Sequence, residues 1–240
     1  FAKSVLSRTH GAVITSASLR DRNDHEDEDW IAAEIRTGAN HLALPARRNA
    51  VWSPFDYGRQ TRVLIVSDVR RDDPDQISAA YRELFLAANG GALGLFTAIA
   101  RMRQVRANIA EPLEVAGLPL YAQHIDAIDT STLVDIFRQE IDSCLLGTDA
   151  VRDGVDVPGD SLRLIVFDRV PWPRPNILHK ARRTVFGGNR YDDMIARLRL
   201  KQAYGRLIRR ATDRGVFVLL DRMTPTRLLD AFPDDANIQR

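Results

Sequence analysis

The chain has 240 residues, 45% of them hydrophobic, enough to bury one full core. No apolar run approaches the ~20 residues that span a bilayer, Phe1-Ala2-Lys3 does not start a signal peptide, and the lone Cys144 excludes an internal disulfide or a cysteine-rich metal or iron–sulfur site. Net charge is only +2, yet residues 169–214 carry thirteen Lys/Arg against Asp192, Asp193 and Asp213, about +10, a block suited to phosphates of a nucleotide or a nucleic acid. These features predict a cytoplasmic protein with no membrane partner. A start at phenylalanine points to a piece of a longer chain.

In chain order, the apolar, β-branched run Gly11-Ala12-Val13-Ile14 predicts a buried strand ending at Thr15-Ser16-Ala17-Ser18. The acidic stretch 21–29 lacks the glycine and ligand alternation of a calcium loop. Its Asp27-Glu28-Asp29 also lacks the apolar strand that precedes a magnesium box, so a solvated linker is expected. Ser53-Pro54-Phe55-Asp56-Tyr57 reads as a turn. Strands are predicted at 62–66, 92–96, 119–121, 162–167 and 216–220, and Cys144-Leu145-Leu146 leads into Gly147-Thr148. Helices are predicted at 75–88, closed by Asn89-Gly90-Gly91, at about 98–107, and at 131–141 with Ser131 or Thr130 as cap. Residues 171–175 form a proline-rich loop around Trp172, and 177–191 a basic loop or short helix.

Alternation of helices with continuously apolar strands predicts an open α/β domain, a mainly parallel sheet covered on both faces. Ligands of such a sheet sit beyond the C-terminal strand ends, where Thr97, Thr148, Asp168 and Asp221 fall. Hydroxyls at strand ends also serve as plain helix caps.

The last predicted helix runs from about 191 to 212. Helical spacing would put Gln202, Arg206 and Arg209 on one face, with Leu198, Leu207 and Ile208 packed opposite. Gly205 would allow close approach of a partner. Two guanidinium forks and an amide aimed one way suit a polyphosphate, the alternative being a surface helix with solvated arginines. The five histidines show no metal-ligand spacing, and no metal site is expected.

With these segments placed, the ordered set resembles the second motor lobe of a superfamily 2 helicase of the DinG-type branch related to XPD. Ile14-Thr15-Ser16-Ala17-Ser18-Leu19 is similar to that family's third motif, and Ser53-Pro54-Phe55-Asp56-Tyr57 to its interlobe crossing. Leu95-Phe96-Thr97 resembles motif four, and Gly147-Thr148 with Asp153-Gly154-Val155-Asp156-Val157-Pro158-Gly159-Asp160 motif five. Gln202-Ala203-Tyr204-Gly205-Arg206-Leu207-Ile208-Arg209 with Thr212-Asp213-Arg214-Gly215 resembles motif six. Five motifs in order are far more specific than any one. Val151-Arg152-Asp153 departs from the family's usual aromatic and glutamate, and Trp172 replaces a usual phenylalanine.

The resemblance implies a RecA-like fold, with residues 1–48 as the tail of a first lobe and its linker, and 49–240 as the second lobe. Arg206 and Arg209 would act as arginine fingers on ATP with Gln202 orienting them, and Gly154, Asp156 and Gly205 would border the nucleotide. Thr15 and Ser16 would couple nucleotide state to strand grip. Phe96, Thr97, Gly147 and Thr148 would hold single-stranded DNA. ATP and Mg2+ would be bound mainly by the first lobe, because the chain has no Gly-Lys-Ser/Thr loop and no magnesium box, so the piece alone should not hydrolyse ATP. The parent would be an ATP-dependent DNA helicase, unwinding 5′ to 3′. The alternative is a non-catalytic nucleic-acid-binding or regulatory module that kept the fold. A dinucleotide enzyme would need a Gly-x-Gly-x-x-Gly turn that the chain lacks, and RNA remains open as the track, since backbone contacts carry little sequence information.

Overall fold

The computed structural model describes residues 1–20, 26–154 and 156–240, the side chains of 26, 153 and 154 aside. They form two compact units, Phe1–Ser53 and Pro54–Arg240.

In the first unit the main element is helix α1 (Glu26–Thr37). The predicted linker is therefore helical from Glu26 onward, and its remainder, 21–25, lies outside the described residues. Carboxylates crowded into a first turn favour a helix, because they face the positive end of its dipole. Arg48 ties down the same helix, 2.8 Å from Glu34 and 3.2 Å from Asp27. The run 11–14 is not a strand, and Val13 and Ile14 are 92% and 41% exposed. An apolar β-branched run becomes a buried strand only where neighbours pair with it. Among the described residues of this unit there is no other strand.

The second unit is a seven-stranded, fully parallel sheet in the order β3-β4-β2-β5-β6-β1-β7. Its strands are β1 (Thr61–Ile65), β2 (Ala92–Leu95), β3 (Leu120–Ala122), β4 (Cys144–Gly147), β5 (Leu164–Phe167), β6 (Gly215–Leu219) and β7 (Asn237–Gln239). Its helices are α2 (Tyr57–Gln60), α3 (Pro74–Ala88), α4 (Ile99–Val115), α5 (Thr130–Gln139), α6 (Asp149–Gly154), α7 (Ile177–Val185) and α8 (Asn189–Tyr204). Successive side chains alternate between faces. Leu164 and Val166 of β5 pack with Tyr81 and Phe85 of α3 and Ile109 of α4. Ile165 and Phe167 pack with Phe137 of α5 and Leu200 of α8. Both faces are dry, which is why the central strands read as unbroken apolar runs.

Local chemistry fixes the boundaries. Asp73 caps α3 by accepting from the amides of Asp75 and Gln76, and Asn89 ends it in the left-handed region at φ 53°. The cap of α5 is Asp129, which accepts from Thr132 N at 3.0 Å, and not Ser131 or Thr130. The arginine-rich helix α4 continues past Pro112 to Val115, because Ile109 and Leu113, both 0% exposed, keep that face in the core. Helix α8 stops at Tyr204, well short of the predicted end.

Candidate nucleotide and nucleic-acid site

Four strands deliver their last residues to one edge of the sheet. β5 ends at Asp168, whose carboxylate is fully buried; it accepts from Thr97 N at 3.1 Å and from Arg101 Nε at 2.8 Å. Burial pushes this carboxyl up from its ordinary value, while Arg101, the Thr97 amide and Arg169 pull it back. β6 leads to Asp221, which accepts from the amides of Val170 and Met223 and lies 3.7 Å from Arg71. Both acids hold loops in place.

Thr148 follows β4. Its amide and its hydroxyl both donate to Oε1 of the buried Gln123, at 3.0 and 2.9 Å, and Gln123 Nε2 donates to Thr130 Oγ1. The amides of Thr97 and Thr148 and the Thr148 hydroxyl are thus engaged within the chain. Gly147 carries no side chain because a Cβ there would lie 2.5 Å from Val151 Cγ2, so the residue answers to the packing of α6. Phe96 is 2% exposed with its ring stacked 4.8 Å from Tyr81. It is a core residue at the floor of the edge, not a freely exposed stacking ring.

Beyond Thr148 opens a basin of about 450 Å³, floored by Phe96 and walled by Arg174, Arg182, Arg199, His179 and Tyr191. Arg199 donates to the carbonyls of Pro171 (3.1 Å) and Trp172 (3.0 Å), which holds the proline loop, and Arg174 reaches the Thr97 carbonyl. Trp172 is 38% exposed on that loop. His179 Nε2 lies 2.9 Å from Asp192 Oδ1, and its ring stacks on Tyr191. Three arginines and flat rings around one concavity suit an anionic, ring-bearing polymer.

The paired arginines lie elsewhere on the unit and not on a helix. Gln202 sits in the last turn of α8, Gly205 is its C-cap, and residues 205–207 form a turn. A helical glycine is a weak continuation, and a Cβ at Gly205 would meet only carbonyls of its own helix, Lys201 at 3.2 Å and Gln202 at 3.8 Å, so no partner accounts for it. Leu207 and Ile208 are buried, while Arg209 and Arg210 face outward. Asp213 then fixes the loop: its Oδ2 accepts from the amides of Arg209 and Arg210, each at 2.8 Å. Arg209 Nη2 lies 3.2 Å from Asp156 Oδ1, so motifs five and six meet. Gly154 closes α6 beside it, and Val155 lies outside the described residues.

Spacing gave no sign of Gln60, 9% exposed at the end of α2. Its Nε2 faces the carbonyls of Arg210 (3.2 Å), Ala211 (3.2 Å) and Asp213 (3.0 Å), and its Oε1 accepts from Asp56 N at 3.0 Å. Thr15 and Ser16 belong to the first unit and are exposed, with Ser16 Oγ 3.1 Å from Ser18 Oγ. Among the described residues, no group of three or more His, Cys, Asp or Glu could hold a metal ion. No helix there is long and apolar enough to cross a membrane.

This RecA-like sheet, with a guanidinium loop fixed beside it, is that of a helicase motor lobe, and the chain belongs to the helicase C-terminal domain family, whose model matches residues 81–236. It is 38% identical to the ATP-dependent helicase DinG of Mycobacterium tuberculosis over 196 residues, 76% of this chain and 29% of that protein. It is 32% identical to the ATP-dependent DNA helicase YoaA of Escherichia coli over 236 residues, 91% of this chain and 34% of that one. The chain thus spans about a third of the length of the curated relatives it matches. A solved XPD helicase shares the fold at TM-score 0.55 and 19% identity, covering 75% of this chain and 35% of its own.

Proposed function

We propose that the chain is the second motor lobe of an ATP-dependent DNA helicase, working with a first RecA-like lobe in the same parent protein, in the cytoplasm. Residues 1–48 would close that first lobe and lead across, and residues 49–240 would form the second. The observation that carries the reading is the built loop at 205–213, which presents Arg206 and Arg209 from a fixed backbone beside Asp156. A guanidinium donates a planar fork and stays charged, the chemistry needed at phosphoryl oxygens whose charge develops in the transition state. Arg206 and Arg209 would reach the γ-phosphate, Gln202 would orient them, and Gly154, Asp156 and Gly205 would border the nucleotide. When bound, ATP would supply the hydrolysable phosphate, and Mg2+ would be held by the first lobe.

Single-stranded DNA would run along the C-terminal sheet edge, over Thr97, Gly147 and Thr148 and across the basic basin, in the 5′-to-3′ sense. Thr15 and Ser16 would pass the nucleotide state to that grip. The test is ATPase activity of the full-length parent, with and without single-stranded DNA, for wild type and Arg209→Ala. A DNA-stimulated rate that falls by roughly 10³ in the variant supports the arginine-finger role. An unchanged rate makes Arg209 structural, and no activity in either protein favours a non-catalytic nucleic-acid-binding module.

A further inference from the structure

We infer that Gln60 is a positioning residue for the arginine loop and ties it to the segment by which the chain enters the second unit. The inference rests on the proposed ATPase role of Arg206 and Arg209. Gln60 is almost fully buried and spends both ends of its amide. The NH2 end donates toward three carbonyl acceptors of the loop, those of Arg210, Ala211 and Asp213. The oxygen end accepts from Asp56 N, three residues past the Ser53–Pro54 division between the units.

Backbone carbonyls shut away from water need donors, and residues 208–214 form no regular element that could supply them. Asp213 satisfies the amides of this loop from one side, and Gln60 satisfies its carbonyls from the other. Among the described residues of the unit, no other side-chain amide joins two segments so far apart in sequence with both of its ends. A displacement of the incoming segment at Asp56 would therefore pull on the backbone that carries Arg209. A shift of about 1 Å in a group acting on a transferring phosphoryl costs on the order of 10²-fold in rate.

The test uses the full-length parent with Gln60→Glu, which keeps the acceptor and loses the donor, and Gln60→Met, which loses both. We expect kcat of the DNA-stimulated ATPase to fall ten- to a hundred-fold in each. KM for ATP and the stoichiometry of single-stranded DNA binding should stay unchanged, with a cooperative thermal melt retained. In an Arg209→Ala background, Gln60→Glu should cause no further loss, because both changes remove the same positioned group. A kcat within twofold of wild type, a fully additive loss, or failure of both variants to melt cooperatively would each overturn the inference. If Arg209→Ala itself keeps the wild-type rate, the functional reading fails and takes this inference with it. If Arg209→Ala is inactive while the Gln60 variants are not, the inference alone fails.

Discussion

Removing Arg163 should cost more stability than any other single surface arginine of the second unit. Arg163 precedes β5 at the N-terminal edge of the sheet, and its guanidinium gathers carbonyls from three connections. It donates to Asn89 O at 2.6 Å and to Asp160 O at 2.5 Å, with longer contacts to the carbonyls of Ala88 and Ile141. One of these connections is the C-terminus of α3, where a cation also suits the helix dipole. The side chain is only 25% exposed. Hydrogen bonds from charged groups contribute about 1.5–3 kcal/mol each. Counting the two short ones and discounting for partial exposure gives about 3 kcal/mol for Arg163→Ala. For a unit of this size that corresponds to a melting temperature lower by roughly 6–12 °C. Circular dichroism or calorimetry on the isolated chain measures it, and Arg163→Lys should recover less than half, since one ammonium cannot fork to separate carbonyls. A loss below about 1 kcal/mol would refute the reasoning. Single-stranded DNA affinity of the folded variant should not change, because Thr97 and Thr148 sit at the opposite edge.

Two further outcomes follow from side chains that are fully committed inside the fold. Gln123→Met releases the amide and hydroxyl of Thr148; if a phosphate competes for those donors, oligo-dT binding measured by fluorescence anisotropy tightens up to about tenfold, the equivalent of one to two net hydrogen bonds, and weaker binding would count against Thr148 as a contact. Burial pushes the Cys144 thiol up to about 12, so it should resist Ellman's reagent at pH 8 in the folded chain and react at once in denaturant. Because the folded value is raised, the unfolded thiol ionises first as pH climbs. This contribution is intact below the ordinary thiol value and is lost as pH rises towards 12; rapid labelling of the native protein at pH 8 would show that the core around β4 opens.

Much of the sheet was legible because strands buried on both faces announce themselves as unbroken apolar runs, as in Leu164-Ile165-Val166-Phe167. The same signal misled at 11–14, since a run of apolar residues does not say whether partner strands are at hand. β7 gave almost no signal: Asn237-Ile238-Gln239 is a three-residue edge strand with its two polar side chains exposed. The cap of α5 was placed one or two residues late, at Thr130 or Ser131, because neighbouring side-chain oxygens can each reach the first amides and only the fold selects Asp129. At the site, the i, i+4 and i+3 spacing of Gln202, Arg206 and Arg209 invited a continuous helix, and the choice of a turn depends on Gly205 together with two amides accepted by Asp213. The roles of Gln60 and Gln123 could not be read locally at all. Each is an ordinary amide whose partners are brought up by the tertiary fold.

The strand order carries a consequence for how the protein is made. β1 is flanked only by β6 and β7, so Thr61 has to wait for Gly215, and Arg62 for Asn237, before either side of the strand finds a partner. On a ribosome that emits the chain from its N-terminus, β2, β4 and β5 can join into a nucleus while β1 trails beside it with both edges bare. Closure of the sheet comes with the final stretch of this sequence, which threads β6 into the gap and lays β7 outside. A stalled or clipped product ending before Gly215 would leave the outer edge of β5 and both edges of β1 open and would be a natural client for chaperones or proteases.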